Sequence, residues 1–395
     1  MPKNTSYSLP KDSKAWQQAV DSIATLLPDD TNLQDFDALQ SLPVFALIVV
    51  LPTQVSAIDI HQYIQSWVDE QPSWHLVTVA EDTDASFVNI TVSDTEPTAA
   101  DAQRLPFTNA QVYRYLLVPV TDTLMHPGKK TAAAHIIDDQ LTTRLRHDLS
   151  EQYNTGIADS AVDLNVVDCH ILSVGHMLRT HKLACFDMDS TLIEQEVIVE
   201  LAKTAGIGEE VEAITEAAMR GEIDFDESFA QRVALLKGTS TEVLDDICNR
   251  LTLSVGARTT ISALKALGYH TVLVSGGFTY FARYIAEQLG IDEVHANALD
   301  IEEGEVTGHV QWPIVNGAKK AAIVEHTAER LGIEMSQVVC VGDGANDLPM
   351  MALADLGVAY HAKPIVQARA DAAINVTGLE GTLYALGYPA LAPTE

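Results

Sequence analysis

The fold of this 395-residue chain is decided by one short stretch, Ala184-Cys185-Phe186-Asp187-Met188-Asp189-Ser190-Thr191-Leu192-Ile193. It begins with a short apolar run, which is typical of a buried strand in a parallel sheet. The run stops at two carboxylates, and residues two positions apart on an extended chain point to the same side. Asp187 and Asp189 can therefore face one small site. Because Asp, Ser and Thr also form turns and cap helices, this pair alone could equally be a loop.

Other polar segments follow at element boundaries further along the chain. Ser275-Gly276-Gly277 ends a second apolar strand, Lys320 opens a helix, and Gly342-Asp343-Gly344-Ala345-Asn346-Asp347 ends a third strand. Strands and helices alternate throughout this part, which predicts an α/β fold with a doubly wound parallel sheet. Ligands bind outside the carboxyl ends of such strands. Asp187, Ser275 and Asp343 are therefore expected to meet, although they are far apart in sequence.

The charge and composition of the chain limit the kinds of molecule that it is expected to bind. The chain has 55 acidic against 24 basic residues, a net charge of −31, so nucleic acid and anionic membranes are not expected partners. The four cysteines are scattered without a CxxC pair, which favours buried thiols in a reducing compartment. We find no apolar signal core and no long apolar span, and we expect a cytoplasmic protein.

The length predicts two or three domains. Residues 1–40 form a polar segment with one amphipathic helix, and 41–178 show an α+β pattern of one or two small modules. In that region we expect a helix over 136–153, and a strand over 162–174 that is interrupted at Asp168-Cys169-His170. Residues 179–386 form the α/β domain. Its helical block at about 197–252 is too large for one crossover helix and is predicted to be an inserted cap.

The residue types at the strand ends suit phosphoryl transfer. A carboxylate such as Asp187 can attack phosphorus, and Asp189 can protonate the leaving group and then activate water. Clustered acids need a hard cation, and Mg²⁺ suits carboxylate and phosphate oxygens. Asp343 is a natural ligand. Asp347 could bind the metal directly, bind it through water, or simply be an acid at a helix N-terminus.

Donors for the transferred phosphoryl group are also present. The Ser275 hydroxyl, the Gly276 amide and the Lys320 ammonium supply one each. Glycine after a strand lets the backbone approach an anion closely. Lys319 adjoins Lys320, and the sequence does not separate the two.

With these motifs in place, residues 182 to about 386 resemble the phosphoserine phosphatases of the haloacid-dehalogenase superfamily. The nucleophile motif of the superfamily reads Asp187-Met188-Asp189-Ser190-Thr191, and its last acidic motif is the 342–347 run. The resemblance implies a haloacid-dehalogenase-like core with a helical cap after the first strand. It also implies Mg²⁺ ligation by Asp187, the backbone carbonyl of Asp189, Asp343 and Asp347.

The resemblance further implies how a substrate is recognised. Glu196 resembles the residue that reads the substrate amino group, and Arg232 resembles the one that binds the carboxylate. Met219 and Phe225 would be apolar walls, and Asn346 would support the phosphate or the metal site. Charge pairing agrees, because a carboxylate favours a bidentate guanidinium and an ammonium favours a carboxylate.

The implied activity is Mg²⁺-dependent hydrolysis of O-phospho-L-serine through an aspartyl phosphate, the last step of serine biosynthesis. The alternatives are another small phosphomonoester, phosphoryl transfer to an alcohol such as homoserine, or an amino-acid sensor or interaction protein with a vestigial catalytic domain. The N-terminal pattern is compatible with ACT-like modules. It is also compatible with homodimerisation and with serine or another amino acid as an effector.

Overall fold

The computed structural model describes residues 4–7, 14–22, 44–52, 60–70, 74–79, 88–91, 110–119, 144–145, 148–149, 167–220 and 222–388. The chain divides into two compact units, residues 1–180 together with 371–395, and residues 181–370. The predicted start of the α/β domain at residue 179 lies next to this division. Its predicted end at residue 386 does not, because residues from 371 onward group with the N-terminal unit.

Up to residue 178 the elements are β1 (Asn4–Tyr7), α1 (Lys14–Ser22), β2 (Phe45–Pro52), α2 (Ile60–Asp69), β3 (Trp74–Thr78), β4 (Val88–Thr91), β5 (Ala110–Pro119), β6 (Asp168–Ser173) and α3 (Val174–Leu178). From residue 183 they are β7 (Leu183–Phe186), α4 (Val197–Ala205), α5 (Gly208–Met219), α6 (Phe225–Leu235), α7 (Thr241–Cys248), α8 (Ala257–Ala266), β8 (His270–Phe278), α9 (Thr279–Leu289), β9 (Glu293–Asn297), β10 (Leu299–Glu302), β11 (Glu305–Val310), α10 (Gly317–Leu331), β12 (Val338–Gly342), α11 (Leu348–Met351), β13 (Leu356–Tyr360), α12 (Pro364–Gln367), β14 (Ala372–Ile374) and α13 (Gly381–Ala385).

The N-terminal unit is built on a four-stranded antiparallel sheet in the order β3-β5-β2-β6. Helix α2 buries Ile60, Ile64 and Val68 in the core of this unit, since residues four apart share one helix face. The predicted α+β region is confirmed. Whether it is ACT-like stays a prediction, and most of the predicted helix over 136–153 lies outside the described residues.

The interruption predicted at Asp168-Cys169-His170 is wrong, because β6 runs through all three residues. The carboxylate of Asp168 accepts hydrogen bonds from the backbone N–H groups of Asn375 (2.9 Å) and Val376 (3.0 Å). A buried acid is tolerated in the strand because the C-terminal segment supplies these donors. The same segment accepts a hydrogen bond from Trp16 Nε1 at Gly387 O (3.2 Å).

Residues 181–370 form the α/β unit, and its strands pair in parallel in the order β13-β12-β7-β8-β9. All residues of β7 and β12 are buried, which explains their continuous apolar runs. From β7 the chain moves to β8 and β9 on one side, and it returns to β12 and β13 on the other. The order therefore reverses between β7 and β12, where a ligand crevice is expected. The predicted doubly wound parallel sheet is confirmed.

Four helices, α4 to α7, lie between β7 and the α8–β8 segment and form the helical cap. Backbone hydrogen bonds join this cap to the β10–β11 hairpin, from Gly238 N to Val306 O (2.8 Å) and from Thr241 N to Gly304 O (2.9 Å). The hairpin turns at Glu303 and Gly304, both of which have positive φ, as a tight two-residue turn requires.

The four cysteines are buried free thiols. Within the described ranges, no helix is both long and apolar enough to cross a membrane.

Candidate active site

Asp187 lies just beyond the carboxyl end of β7, at the crevice beside β12. Its backbone N–H donates to Val341 O (2.9 Å), which fixes the main chain to the neighbouring strand. Only 5% of the residue is exposed, and its Oδ1 accepts a hydrogen bond from Met188 N (2.7 Å). The carboxylate is therefore held in one orientation before any ligand binds.

Asp189 follows on the same side of the chain. Burial raises its pKa well above the usual range, and the negative charges of Glu196 and Asp187 raise it further. Its Oδ1 is buried and has no hydrogen-bond partner among the residues that the structure describes. Its surroundings therefore shift Asp189 toward the protonated form, which a proton donor requires.

Lys320 lies beneath Asp187 and is completely buried. Its Nζ is 2.7 Å from Asp187 Oδ1 and 2.7 Å from Asp347 Oδ1. These carboxylates outweigh the effect of burial and raise the pKa of Lys320, so the ammonium stays charged. Helix α10 presents this side chain because Asn316 caps its N-terminus, accepting a hydrogen bond from Lys319 N (3.0 Å). The structure thus separates the two lysines and places Lys320 in the site.

Asp347 is also completely buried, and its Oδ2 accepts a hydrogen bond from Gly344 N (3.0 Å). Its side chain makes no capping bond to α11, although it stands at the N-terminus of that helix. A Cβ at Gly342 would collide with the Asp347 carboxylate, so glycine is required for this close approach. The geometry favours a role in the carboxylate cluster over that of a simple helix-terminal acid.

Asp343 completes the cluster. Its Oδ1 accepts a hydrogen bond from the Thr191 hydroxyl (3.1 Å). Burial raises the pKa of Asp343 to about 7, with further contributions from the charges of Asp347 and Glu196. Burial and the charge of Asp347 also raise the pKa of Asp187 well above its usual range, against the opposing effect of Lys320. The cluster is thus short of positive charge.

The cluster fits a divalent cation. Carboxylate oxygens of Asp187, Asp343 and Asp347 lie within 4.8 Å of one another. An all-oxygen donor set is the one that Mg²⁺ prefers, and a second positive charge would relieve the repulsion among these acids. Ligation by the backbone carbonyl of Asp189 stays a prediction.

The end of β8, after Val274, also borders the cavity. Ser275 is 1% exposed, and its Oγ accepts a hydrogen bond from Gly277 N (2.8 Å), which leaves the hydroxyl proton free to be donated. Asn297 fixes this end of β8, because its Nδ2 donates to Gly276 O (2.8 Å) and its Oδ1 accepts from Val315 N (2.8 Å). A Cβ at Gly277 would lie 3.2 Å from Asp189 Oδ2, so a glycine lets the strand pass close to the acid.

The cap supplies the polar wall above the strand ends. Glu196 Oε1 accepts a hydrogen bond from the Ser190 hydroxyl (2.8 Å). Arg232 Nε donates to Ser228 O (3.2 Å), and burial lowers the pKa of the guanidinium while Glu196 opposes that shift. Arg220 is exposed and bonds to Glu222 (2.7 Å) instead. Arg232 is therefore the cap arginine that faces the crevice.

The apolar wall of the cap consists of stacked rings. Phe225 lies parallel to Phe229 with ring centroids 6.3 Å apart, and Phe229 lies 5.6 Å from Phe278 of β8. The side chain of Met219, predicted to share this wall, lies outside the described residues.

A cavity of about 460 Å³ joins these two halves. The sequence-predicted residues that line it are Asp187, Asp189, Glu196, Phe225, Arg232, Ser275, Gly276, Asp343 and Asn346. Lys320 and Asp347 do not line it, and they support Asp187 from behind.

Sequence reasoning missed several residues of the site. Ser228 and Phe229 also line the cavity, and their helical spacing between Phe225 and Arg232 could have indicated them. Thr191 and Asn297 contribute partly buried hydrogen bonds, to Asp343 and to the end of β8 at Gly276. Asn297 gives no signal in the sequence, because its partners lie on two different segments of the fold.

Comparison with known proteins agrees with this geometry. Residues 181–355 match the family model of the haloacid dehalogenase-like hydrolases. A phosphoserine phosphatase of Polaromonas sp. is 49% identical over 212 residues, 52% of this chain and 90% of that protein. A phosphoserine phosphatase of Streptomyces coelicolor is 45% identical over 238 residues, 60% of this chain. That match spans 58% of the Streptomyces protein, less than two thirds of its length.

The architecture also occurs in a solved structure, that of a haloacid dehalogenase family hydrolase of Salmonella enterica serovar Typhi. It superposes with a TM-score of 0.64 and 29% identity, over 86% of this chain and 98% of that one. Both units of the present chain therefore have counterparts in one protein. Together with the extensive match to the Polaromonas relative, this shows that the chain belongs to the haloacid dehalogenase-like hydrolases, in the family of the phosphoserine phosphatases.

Proposed function

We propose that this chain is a Mg²⁺-dependent phosphoserine phosphatase, which hydrolyses O-phospho-L-serine to L-serine and phosphate. One observation carries the proposal: a single cavity is lined by Asp187 and Asp189 on the strand side and by Glu196 and Arg232 on the cap side. A phosphorylated amino acid presents a phosphate, an ammonium and a carboxylate. The carboxylate of Glu196 suits the ammonium, and the guanidinium of Arg232 suits the carboxylate.

In the first step an oxygen of the Asp187 carboxylate attacks phosphorus, and the bond between phosphorus and the serine oxygen breaks. The leaving oxygen takes the proton of Asp189, whose protonated form is favoured by burial and by the neighbouring acids. L-Serine leaves, and the phosphoryl group remains on Asp187 as an acyl phosphate.

In the second step the Asp189 carboxylate takes a proton from a water molecule, and the water oxygen attacks phosphorus. The bond from phosphorus to Asp187 breaks, so that inorganic phosphate leaves and both acids return to their starting states. The same residue thus serves as acid and then as base.

Fixed charges stabilise the phosphoryl group during both steps. Lys320 keeps Asp187 in place, and the Ser275 hydroxyl and the Gly276 amide are the proposed donors to phosphate oxygens. Asp187, Asp343 and Asp347 would hold Mg²⁺, which supplies positive charge to the phosphate oxygens when bound. Asn346 lines the cavity beside Asp343 and is proposed to orient the phosphate.

Phosphate release from O-phospho-L-serine tests this proposal, measured with Mg²⁺ and with EDTA for the wild type and Asp187→Asn. We expect metal-dependent release that falls by at least about 10⁴-fold in the variant, since losing a nucleophile removes the reaction path. Glu325→Gln, an exposed acid on α10, serves as a matched control and should retain the wild-type rate.

A panel of other phosphomonoesters and acceptor alcohols tests the alternatives. Turnover of another ester without turnover of phosphoserine would contradict the substrate but not the chemistry. Phosphoryl transfer to homoserine in place of water would make the chain a phosphotransferase. No turnover of any substrate would favour the sensor alternative. An amino-acid effector and a dimer remain predictions for the N-terminal unit.

A further inference from the structure

Ser228 lines the cavity and carries a hydroxyl that the reaction described above does not use. The residue is 1% exposed, and within the described part of the chain its Oγ has no hydrogen-bond partner. A buried hydroxyl without a partner costs free energy, so native proteins rarely retain one without a ligand or water to satisfy it.

Three other helical hydroxyls of this unit donate to a carbonyl of their own helix or its cap. Thr204, Thr215 and Thr260 each donate to the backbone carbonyl four residues earlier, at 2.8 to 2.9 Å. That local bond is the usual outcome for a hydroxyl within a helix. Ser228 stands in the same type of backbone and does not make it, although its own N–H donates to Asp224 O in the ordinary way (3.0 Å).

Ser228 lies on α6, on the helix face that lines the cap side of the cavity. Phe225, Ser228, Phe229 and Arg232 follow the spacing of one helix face, and all four line the cavity. Arg232 Nε is tied to the carbonyl oxygen of Ser228 (3.2 Å), so the guanidinium is anchored on the turn that carries the hydroxyl. The remaining guanidinium N–H groups are left for an anion.

A hydroxyl donor beside a guanidinium suits a carboxylate, which can accept hydrogen bonds at both oxygens. Glu196, the other charged group of the cap wall, already accepts the Ser190 hydroxyl and suits a cation. We infer that Ser228 Oγ donates a hydrogen bond to the carboxylate of the substrate, next to Arg232, and that it is a specificity-determining residue. This inference rests on the proposed function, because it requires a substrate that carries a carboxylate.

Ser228→Ala tests the inference with two substrates, O-phospho-L-serine and O-phosphoethanolamine, which lacks the carboxylate. We expect kcat/KM for phosphoserine to fall about tenfold, mainly through KM, because a hydrogen bond to a charged group is lost. Phosphoethanolamine should change less than about twofold, since the missing partner is absent from it. Thr215→Val removes a hydroxyl that lines the same cavity but is bonded to Val211, and should leave the ratio of the two substrates unchanged.

Two readouts that do not depend on turnover complete the test. Titration calorimetry should show L-serine binding about tenfold more weakly to Ser228→Ala than to the wild type. The Tm of the ligand-free variant should be equal to or above that of the wild type, because alanine removes an unsatisfied buried hydroxyl and favours the helix.

The outcomes are distinguishable. An equal loss for both substrates, no loss for either, or a lowered ligand-free Tm would overturn the role of Ser228 while the wild type still hydrolyses phosphoserine. Failure of the wild type to hydrolyse phosphoserine would overturn the proposed function and this inference together.

Discussion

The two halves of the cavity are built on different physical terms. The strand side holds its acids by burial and by one lysine, with Lys320 between Asp187 and Asp347 at 2.7 Å from each. The cap side holds its groups on and beside helices, where Arg232 donates from Nε to the carbonyl oxygen of Ser228 (3.2 Å). Among the described residues, the Ser228 hydroxyl has no hydrogen-bond partner. The strand-side acids have a fixed cationic partner and still fit a further cation, whereas the cap side carries donors for which the proposed partner is the substrate. In the proposed function, the strand side therefore carries out the chemistry and the cap side provides the selectivity.

Among the substitutions that compare the two halves, the largest loss of activity is expected from Lys320→Met, which removes the one cation that the structure describes beneath Asp187. We expect kcat to fall by about 10²- to 10³-fold for phosphoserine and phosphoethanolamine alike, as when a preorganised donor is removed from a site. Two buried carboxylates would also lose their partner, lowering the free energy of unfolding by about 3–5 kcal/mol. Steady-state kinetics and urea denaturation measure the two effects. A loss for phosphoserine alone would contradict the division between chemistry and selectivity.

Arg232→Ala should act on one substrate only. We expect kcat/KM for phosphoserine to fall about 10- to 100-fold, because the hydrogen bonds to a charged carboxylate are lost. Phosphoethanolamine should be nearly unaffected. Arg220→Ala, an exposed arginine of the same cap, is the matched control and should leave both values at the wild-type level. A uniform loss in Arg232→Ala would show that the arginine serves cap structure instead of recognition.

In the absence of metal, the raised pKa of the strand-side acid Asp343 should make the stability of the protein depend on pH. The pKa of folded Asp343 is about 7 and exceeds its unfolded value, so the folded state binds more protons between about pH 4 and 7. Its contribution to stability is therefore complete below about pH 4 and is lost as pH rises to about 7. The Tm in EDTA should accordingly fall between pH 5 and pH 8, and Mg²⁺ should raise it more at pH 8 than at pH 5.

Two variants identify the groups responsible for the slope of Tm against pH. Asp343→Asn should reduce it and abolish the response to Mg²⁺. Glu380→Gln should also reduce it, because burial raises the pKa of Glu380 to about 7, but should leave the Mg²⁺ response intact. An unchanged slope in Asp343→Asn would contradict the assignment.

The smallest change in kinetics is expected from a hydrogen bond between the strand side and the cap side of the cavity. Asn316, which caps the helix that carries Lys320, donates from Nδ2 to Asp226 Oδ1 of the cap helix α6 (2.9 Å). Asp226→Ala removes this single hydrogen bond, and we expect KM to rise about two- to tenfold for both substrates to the same extent. Parallel kinetics on the two esters measure the effect. A change in the ratio of the two KM values would mean that this contact contributes to selectivity, besides joining the two halves of the cavity.

Much of the fold could be predicted because its signals are local. Continuous apolar runs predict β7 and β12, since strands buried on both faces need apolar side chains throughout. The Glu303-Gly304 turn predicts the hairpin that the structure contains. The strand through Asp168 could not be predicted, because its buried carboxylate is satisfied by Asn375 and Val376, more than 200 positions away in sequence. The grouping of residues 371–388 with the N-terminal unit has the same cause.

The sequence by itself determined which groups are available for phosphoryl chemistry, because Asp187, Asp189, Ser275 and Asp343 stand at strand ends that a parallel sheet brings together. Tertiary structure alone decided how these groups are charged and which neighbours complete them. Burial and mutual repulsion, which depend on distances between distant segments, raise the pKa values of the acids. The choice of Lys320 over Lys319 and the unsatisfied hydroxyl of Ser228 likewise emerge only when helices pack against the strand ends.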